Sequence, residues 1–222
     1  MPNWCNNNIS ITGPNSVIDK IEKIVREEEN IDLSSKEKGE SMGLLNFMYP
    51  MPKELEDTTS PSSSAKKPQP MIEGFDNWYD WRCENWGTKW DVNEFYGVDR
   101  QYLTEQSEGE STISFGFMSA WSPPIGAYEK FLDKYSDCSL KAYYYEGGCD
   151  FMGEWDNGSD DCYAPSDYKS TDDFWQDGIG STLDDIFNIT ESMAEYEAEQ
   201  EAEKEDVHEY TKGKAMNIGE EI

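Results

Sequence analysis

The sequence predicts an α+β fold in which helices lie on one face of a mainly antiparallel sheet. Three observations carry this. Apolar and polar residues alternate with the period of a strand at 3–12, 113–117 and 140–144. Segments with the three-and-four spacing of an amphipathic helix separate them, at 17–25, 75–82 and 125–135. Gly147-Gly148 then stands between two strand patterns as a hairpin turn.

In chain order, residues 3–12 read as a strand, with Cys5, Ile9 and Ile11 alternating up to Gly13-Pro14. Asn15 or Ser16 is placed to cap a helix carrying Val17, Ile21, Ile24 and Val25. Glu27 to Glu29 oppose the dipole at its end, so fraying is expected there. Residues 30–42 are polar and loop-like. Gly43 to Met48, bounded by Pro50 and Pro52, suits a short buried strand. Residues 56–70 hold four serines, three prolines and two lysines without periodicity, the composition of a flexible insertion. Helical spacing resumes at Phe75, Trp78, Tyr79 and Arg82, and Trp90, Val92 and Phe95 suggest a strand. Ile113, Phe115 and Phe117 alternate cleanly. Ser122-Pro123 has the chemistry of a helix start: a capping hydroxyl, then a proline that loses no hydrogen bond. Ile125, Tyr128, Phe131, Leu132 and Tyr135 give that helix its apolar stripe. Leu140, Ala142 and Tyr144 restart a strand, and Phe151 to Trp155 forms its hairpin partner. With the aromatic helical insert removed, this order approximates the split β-α-β unit of ferredoxin-like folds.

Charge bounds the function. Among 222 residues, 47 acids against 18 Lys and Arg leave a net charge of −29. That field repels phosphate backbones and anionic membranes, so any electrostatic partner is expected to be basic. No apolar run approaches the ~20 residues of a membrane helix. The amino-terminal residues lack the basic and apolar regions of a signal peptide. Five cysteines, with no Cys-x-x-Cys pair, suit a reduced cytoplasmic setting. Hydrophobic content is only 36%, offset in part by eight tryptophans, whose large rings each bury ~150–250 Å².

Several dispersed motifs resemble one family. Met1-Pro2-Asn3-Trp4-Cys5, Asn85-Trp86-Gly87-Thr88-Lys89-Trp90-Asp91, Phe117 to Pro124 (Phe-Met-Ser-Ala-Trp-Ser-Pro-Pro) and Tyr145 to Gly153 with Glu146-Gly147-Gly148 stand in the order of the YubB ferredoxin-like family. The resemblance spans roughly residues 1–155. It implies a ferredoxin-like fold and an origin on a phage or plasmid, in a bacterial host cytoplasm, and carries over no established activity. The expected organisation is thus an α+β domain over 1–155 and an acidic extension over 156–222, with a helix near 182–206 and a frayed tail.

Few residues point to chemistry. His208 is the only histidine and lies in the acidic tail, which removes histidine-activated nucleophiles and histidine zinc sites. The cysteines read as small buried residues. Asp156-Asn157-Gly158-Ser159-Asp160-Asp161 gathers hard oxygen ligands without the register of a calcium loop, and reads as an exposed turn. Gly87-Thr88-Lys89 lacks the spacing of a phosphate loop, so Lys89 reads as an edge charge paired with Asp91 or a neighbour. No cofactor, metal or catalytic residue is expected.

Two surfaces remain. Residues 146–206 hold 20 Asp or Glu against Lys169 and Lys204, a net charge of −18. Leu183, Ile186, Phe187 and Met193 make one helical stripe, after which Glu195, Glu199 and Glu203 form one ladder of like charges and Glu197, Glu201 and Glu205 another. Such rows destabilise an isolated helix and would be stabilised against a basic surface. The leading expectation is a non-enzymatic interaction protein that uses this acidic face to bind a basic, nucleic-acid-binding host protein, as a DNA mimic or anti-defence factor would, with no direct nucleic-acid contact. The alternative is a ligand-binding or catalytic domain with an aromatic groove of Trp86, Trp90 and Trp121. The competing structural reading of those indoles is core for a sheet poor in aliphatics.

Overall fold

The computed structural model describes residues 3–27, 43–92, 94–103 and 109–194. It divides into two units, Met1–Ala164 and Pro165–Ile222.

The first unit is built on β1 (Trp4–Pro14), β2 (Phe95–Tyr102), β3 (Glu110–Ala120), β4 (Ser139–Glu146), β5 (Phe151–Asp156) and β6 (Ser159–Tyr163). They form one antiparallel sheet in the order β2-β3-β1-β4-β5-β6. The alternation in β1 sets the faces. Cys5, Asn7, Ile9 and Ile11 are buried, and Asn6, Asn8, Ser10 and Thr12 point the other way. Register places Ile9 between Phe115 and Ala142, and Ile11 between Ile113 and Leu140, which makes one continuous apolar layer. On the opposite face the hydroxyls pair across strands, Ser10 with Ser114 at 3.0 Å and Thr12 with Thr112 at 2.7 Å.

Helices α1 (Asn15–Glu27) and α5 (Ile125–Lys134) supply the other half of the core. Ile18, Ile21 and Val25 of α1 and Tyr128 and Phe131 of α5 are fully buried, each worth roughly 1.5–3 kcal/mol. A charge at Ile21 would break this contact. Arg100 of β2 ties the sheet edge to α1: its guanidinium donates to Asp19 at 2.8 Å, Glu22 at 2.5 Å and Asn15 at 3.2 Å. The Arg100 hydrogen bond holds the Glu22 carboxyl below its ordinary range.

Between α1 and β2 the chain inserts α2 (Leu44–Met48), α3 (Lys53–Glu56) and α4 (Trp78–Asn85). Here the structure corrects two expectations. Within the run Gly43 to Met48, Leu44–Met48 is helical, not a strand, because the Asp91 carboxylate accepts the Leu45 and Asn46 amides at 2.8 and 3.1 Å and so caps α2. That cap comes from 46 and 45 positions along the chain, beyond any local pattern. Trp90 and Val92 are not in a strand either; the chain bends through them, and β2 starts only at Phe95. Segment 56–70 holds a single 3-10 turn, Ser62–Ser64. The Gln69 amide donates to Thr59 O and Asp76 O, both at 3.0 Å, and Thr58 Oγ1 accepts the Trp78 amide at 2.9 Å.

Ser122 does not cap α5, which begins at Ile125 after an uncapped Pro124. Its hydroxyl instead donates to Gly87 O at 2.5 Å. The run 156–161 is a hairpin turn at Asn157 and Gly158, both with positive φ, leading into β6, a strand that periodicity did not reveal. The Asn157 side-chain Oδ1 accepts the Leu140 amide at 2.9 Å, and Tyr144 OH donates to Asp160 at 2.7 Å.

The second unit contains α6 (Thr171–Gln176) and α7 (Gly178–Phe187). Ser170 caps α6 by accepting the Asp173 amide at 3.1 Å, and Asp177 caps α7 by accepting that of Ile179 at 3.1 Å. Asn188, at φ 55°, ends α7, and a further helical segment runs over 189–194. The expected stripe is therefore interrupted between Phe187 and Met193. Glu195, Glu197, Glu199, Glu201, Glu203 and Glu205 lie outside the described residues.

Candidate functional site

The heptapeptide Asn85 to Asp91 is the joint from which the site is built. Trp86 is fully buried: its indole Nε1 donates to Tyr49 O at 2.8 Å and its ring meets Trp81 edge-on at 5.8 Å. The Arg82 guanidinium lies 4.9 Å above the Trp86 ring. Gly87 has φ +86°, a conformation costly for any residue with a Cβ. Thr88 Oγ1 donates to Ala120 O at 2.8 Å, which pins the segment to the end of β3. Asp91 accepts from Leu45 and Val92 at 2.8 Å and from Asn46 at 3.1 Å. Burial pushes its carboxyl up from the ordinary range, against the pull of those amides and of the Arg82 charge. Trp86, Thr88 and Asp91 thus turn inward, and Lys89 and Trp90 are left facing out.

Trp90 meets Trp4, the first residue of β1, at 5.9 Å between ring centroids. The two indoles form one wall of a groove of about 610 Å³, completed by Phe95 and Tyr96 of β2 and by Met118 to Ala120 of β3. Tyr96 lies across Gly116, where a Cβ would come within 2.2 Å of its ring. Trp4, Trp90, Tyr96 and Met118 are 39–50% exposed, which concentrates large apolar side chains around the groove. Glu94 stands in the lining.

Beside the groove, Lys89 is not paired with Asp91, which is committed to α2. Its ammonium sits 3.8 Å from the Trp90 ring centroid and 4.1 Å from that of Trp121. Trp121 follows β3 at φ 73°, a left-handed conformation that costs a residue with a Cβ about 1–2 kcal/mol. Its amide donates to Asn3 O at 2.9 Å and its indole meets Tyr79 edge-on at 6.5 Å.

Of the indoles expected in one groove, Trp90 lines it, Trp121 flanks it across Lys89, and Trp86 is excluded. Trp86 is core because its indole N–H found a carbonyl inside the fold. Sequence reasoning missed Trp4, Tyr96 and Met118. Their signal was present: Met118 is a large apolar residue at the outward position left by the alternation of Phe115, Phe117 and Ser119, and it pairs in register with Asn6, on the face that Trp4 shares.

Burial pushes the Cys5 thiol up to about 12, so it stays protonated. Asn7 Nδ2 donates to Cys5 O and Ser119 Oγ, both at 2.9 Å. Glu146 is spent on its own hairpin, accepting the Gly148 and Cys149 amides at 3.0 and 2.5 Å. Among the described residues no group of three or more His, Cys, Asp or Glu is placed to hold a metal. Nor is any helix there long and apolar enough to cross a membrane.

The strand order β2-β3-β1-β4, with α1 and α5 on one face, defines a ferredoxin-like α+β domain extended by the β5–β6 hairpin. Residues 85–173 match the family described as the ferredoxin-like domain in Api92-like protein, a span that opens at the heptapeptide itself. Among solved structures, a crystal structure of a protein api92 from Yersinia pseudotuberculosis aligns with a TM-score of 0.39 at 12% identity, over 76% of this chain and 96% of that one. No curated relative matches the chain.

Proposed function

We propose that this chain is a non-enzymatic interaction protein that binds a basic, nucleic-acid-binding host protein, with the groove of Trp4, Trp90, Tyr96 and Met118 as its contact surface. The supporting observation is that groove: exposed aromatic and Met side chains around a concave site, the composition that anchors protein interfaces. The net charge of −29 selects the partner's sign. Glu195, Glu197, Glu199, Glu201, Glu203 and Glu205 contribute to that charge. The resemblance to the YubB family supports a phage or plasmid origin, and with it a host target and a role such as DNA mimicry or anti-defence.

Titration with cationic peptides carrying one aromatic residue, followed by tryptophan fluorescence, tests this. Affinity should fall steeply with salt, as the screening length shrinks from about 10 Å at 0.1 M to about 3 Å at 1 M. Trp4→Ala and Met118→Ser should each weaken binding at least about tenfold, the equivalent of 1.4 kcal/mol. Binding that ignores both salt and these substitutions overturns the reading. A small apolar ligand is the second reading, favoured by a volume inside the ~300–1,000 Å³ of ligand pockets. It predicts saturation by such a compound with no dependence on salt.

A further inference from the structure

We infer that Trp90 and Trp121 form a cation slot plugged by the chain's own Lys89, and that an arginine side chain of the basic partner displaces this plug on binding. The inference rests on the groove reading above and gives it a chemical specificity.

Four observations converge. The Lys89 ammonium lies over two indole rings at 3.8 and 4.1 Å, well inside the ~6 Å reach of a cation–π contact. Among the described residues it has no carboxylate partner, although the chain has 47 acids, and the nearest in sequence, Asp91, is turned inward as a cap. Trp121 is held over the cation in a left-handed backbone conformation that its own chemistry disfavours, fixed by the Asn3 carbonyl and the Tyr79 edge. Both rings are more than a third exposed, so the slot opens to solvent, and Trp90 is shared with the groove.

The choice of arginine follows from exchange. Replacing one primary ammonium by another gains nothing, because the incoming lysine loses the same hydration and makes the same contacts as the one expelled. A guanidinium is planar, more weakly hydrated and stacks on aromatic faces, so it wins the exchange. The expelled Lys89 ammonium returns to water beside a strongly acidic protein, where its charge is welcome. The occupied slot therefore screens partners: lysine-rich surfaces are held only by the long-range field, and arginine-bearing ones also gain the indoles.

The experiment compares two peptides, identical except for one Arg or Lys, against the full chain and its Lys89→Ala, Lys89→Arg, Trp121→Ala and Trp4→Ala variants, by calorimetry and indole fluorescence. The wild type should prefer the Arg peptide several-fold. Lys89→Ala, with the slot empty, should bind the Arg peptide about tenfold more tightly than wild type. Lys89→Arg, with a better plug, should bind it several-fold more weakly, and Trp121→Ala should lose the Arg preference. Equal affinities across the Lys89 variants, or an Arg preference that survives Trp121→Ala, overturn the plug. If Trp4→Ala still weakens both peptides in that case, the groove stands and only the plug falls. If no variant changes any affinity, both fall.

Discussion

Replacing Asp91 tests how a single carboxylate holds the inserted helices to the sheet. The side chain accepts three backbone amides, Leu45 and Val92 through Oδ1 and Asn46 through Oδ2. Asp91→Ala orphans all three. At about 1–1.5 kcal/mol net for each bond, and with the original carboxylate's burial offsetting part, the loss is about 3 kcal/mol. With a urea slope of about 1–3 kcal/mol per molar, the unfolding midpoint should fall by about 1.5 M. Asp91→Asn separates the contributions. With its carbonyl in the Oδ1 position it keeps the Leu45 and Val92 bonds and sets an NH2 against the Asn46 amide, so the cost should be about half that of alanine. Equilibrium urea denaturation, followed by circular dichroism and tryptophan fluorescence, measures both. An alanine variant within about 0.5 kcal/mol of wild type, the range of an ordinary surface change, would refute the capping account. So would an asparagine variant as damaged as the alanine.

The two kinds of tryptophan should separate by stability: Trp86→Ala is expected to cost about 3–5 kcal/mol as a cavity in the core, and Trp90→Ala no more than about 1, read by the same denaturation assay. Alkaline pH should destabilise the protein. Burial raises the Cys5 thiol from 9.0 to about 12 and also raises the Tyr128 and Tyr144 phenols. The folded chain thus keeps protons that the unfolded chain releases, and this stability is intact below about pH 9 and lost from there toward pH 12, at about 1.4 kcal/mol per pH unit for each proton. Urea midpoints across pH 8–11 check this, and Cys5→Ala should flatten the slope. Glu146 holds the exposed Cys149 thiol up. Glu146→Gln should therefore speed alkylation of Cys149 near pH 8, measured by mass spectrometry, with Cys5 unreactive until unfolding.

What was legible in the sequence was whatever repeats with a local period. The alternation of β1, the stripes of α1 and α5 and the Gly147-Gly148 hairpin all follow from one face being buried. Three of the failures share a cause: a side chain satisfied from far along the chain. Asp91 made a helix of Leu44 to Met48, Gly87 took the Ser122 hydroxyl away from helix capping, and Tyr49 O drew Trp86 into the core. The groove was half legible. Counting tryptophans located Trp90 and Trp121, but Trp4, Tyr96 and Met118 join them only through strand register, which pairs Trp4 with Ala120 and Tyr96 with Gly116.

The span that matches the family model begins at Asn85 and so leaves out β1, yet β1 is the strand wedged between β3 and β4. A polypeptide cut to 85–173 would lack its keystone. Two ladders, eleven residue pairs on one flank and seven on the other, would stand empty side by side. β1 is therefore the strand whose hydrogen bonds join the two halves of the sheet. Because β1 also delivers Trp4, the strand that closes the sheet carries one of the two indoles in the wall of the groove as well.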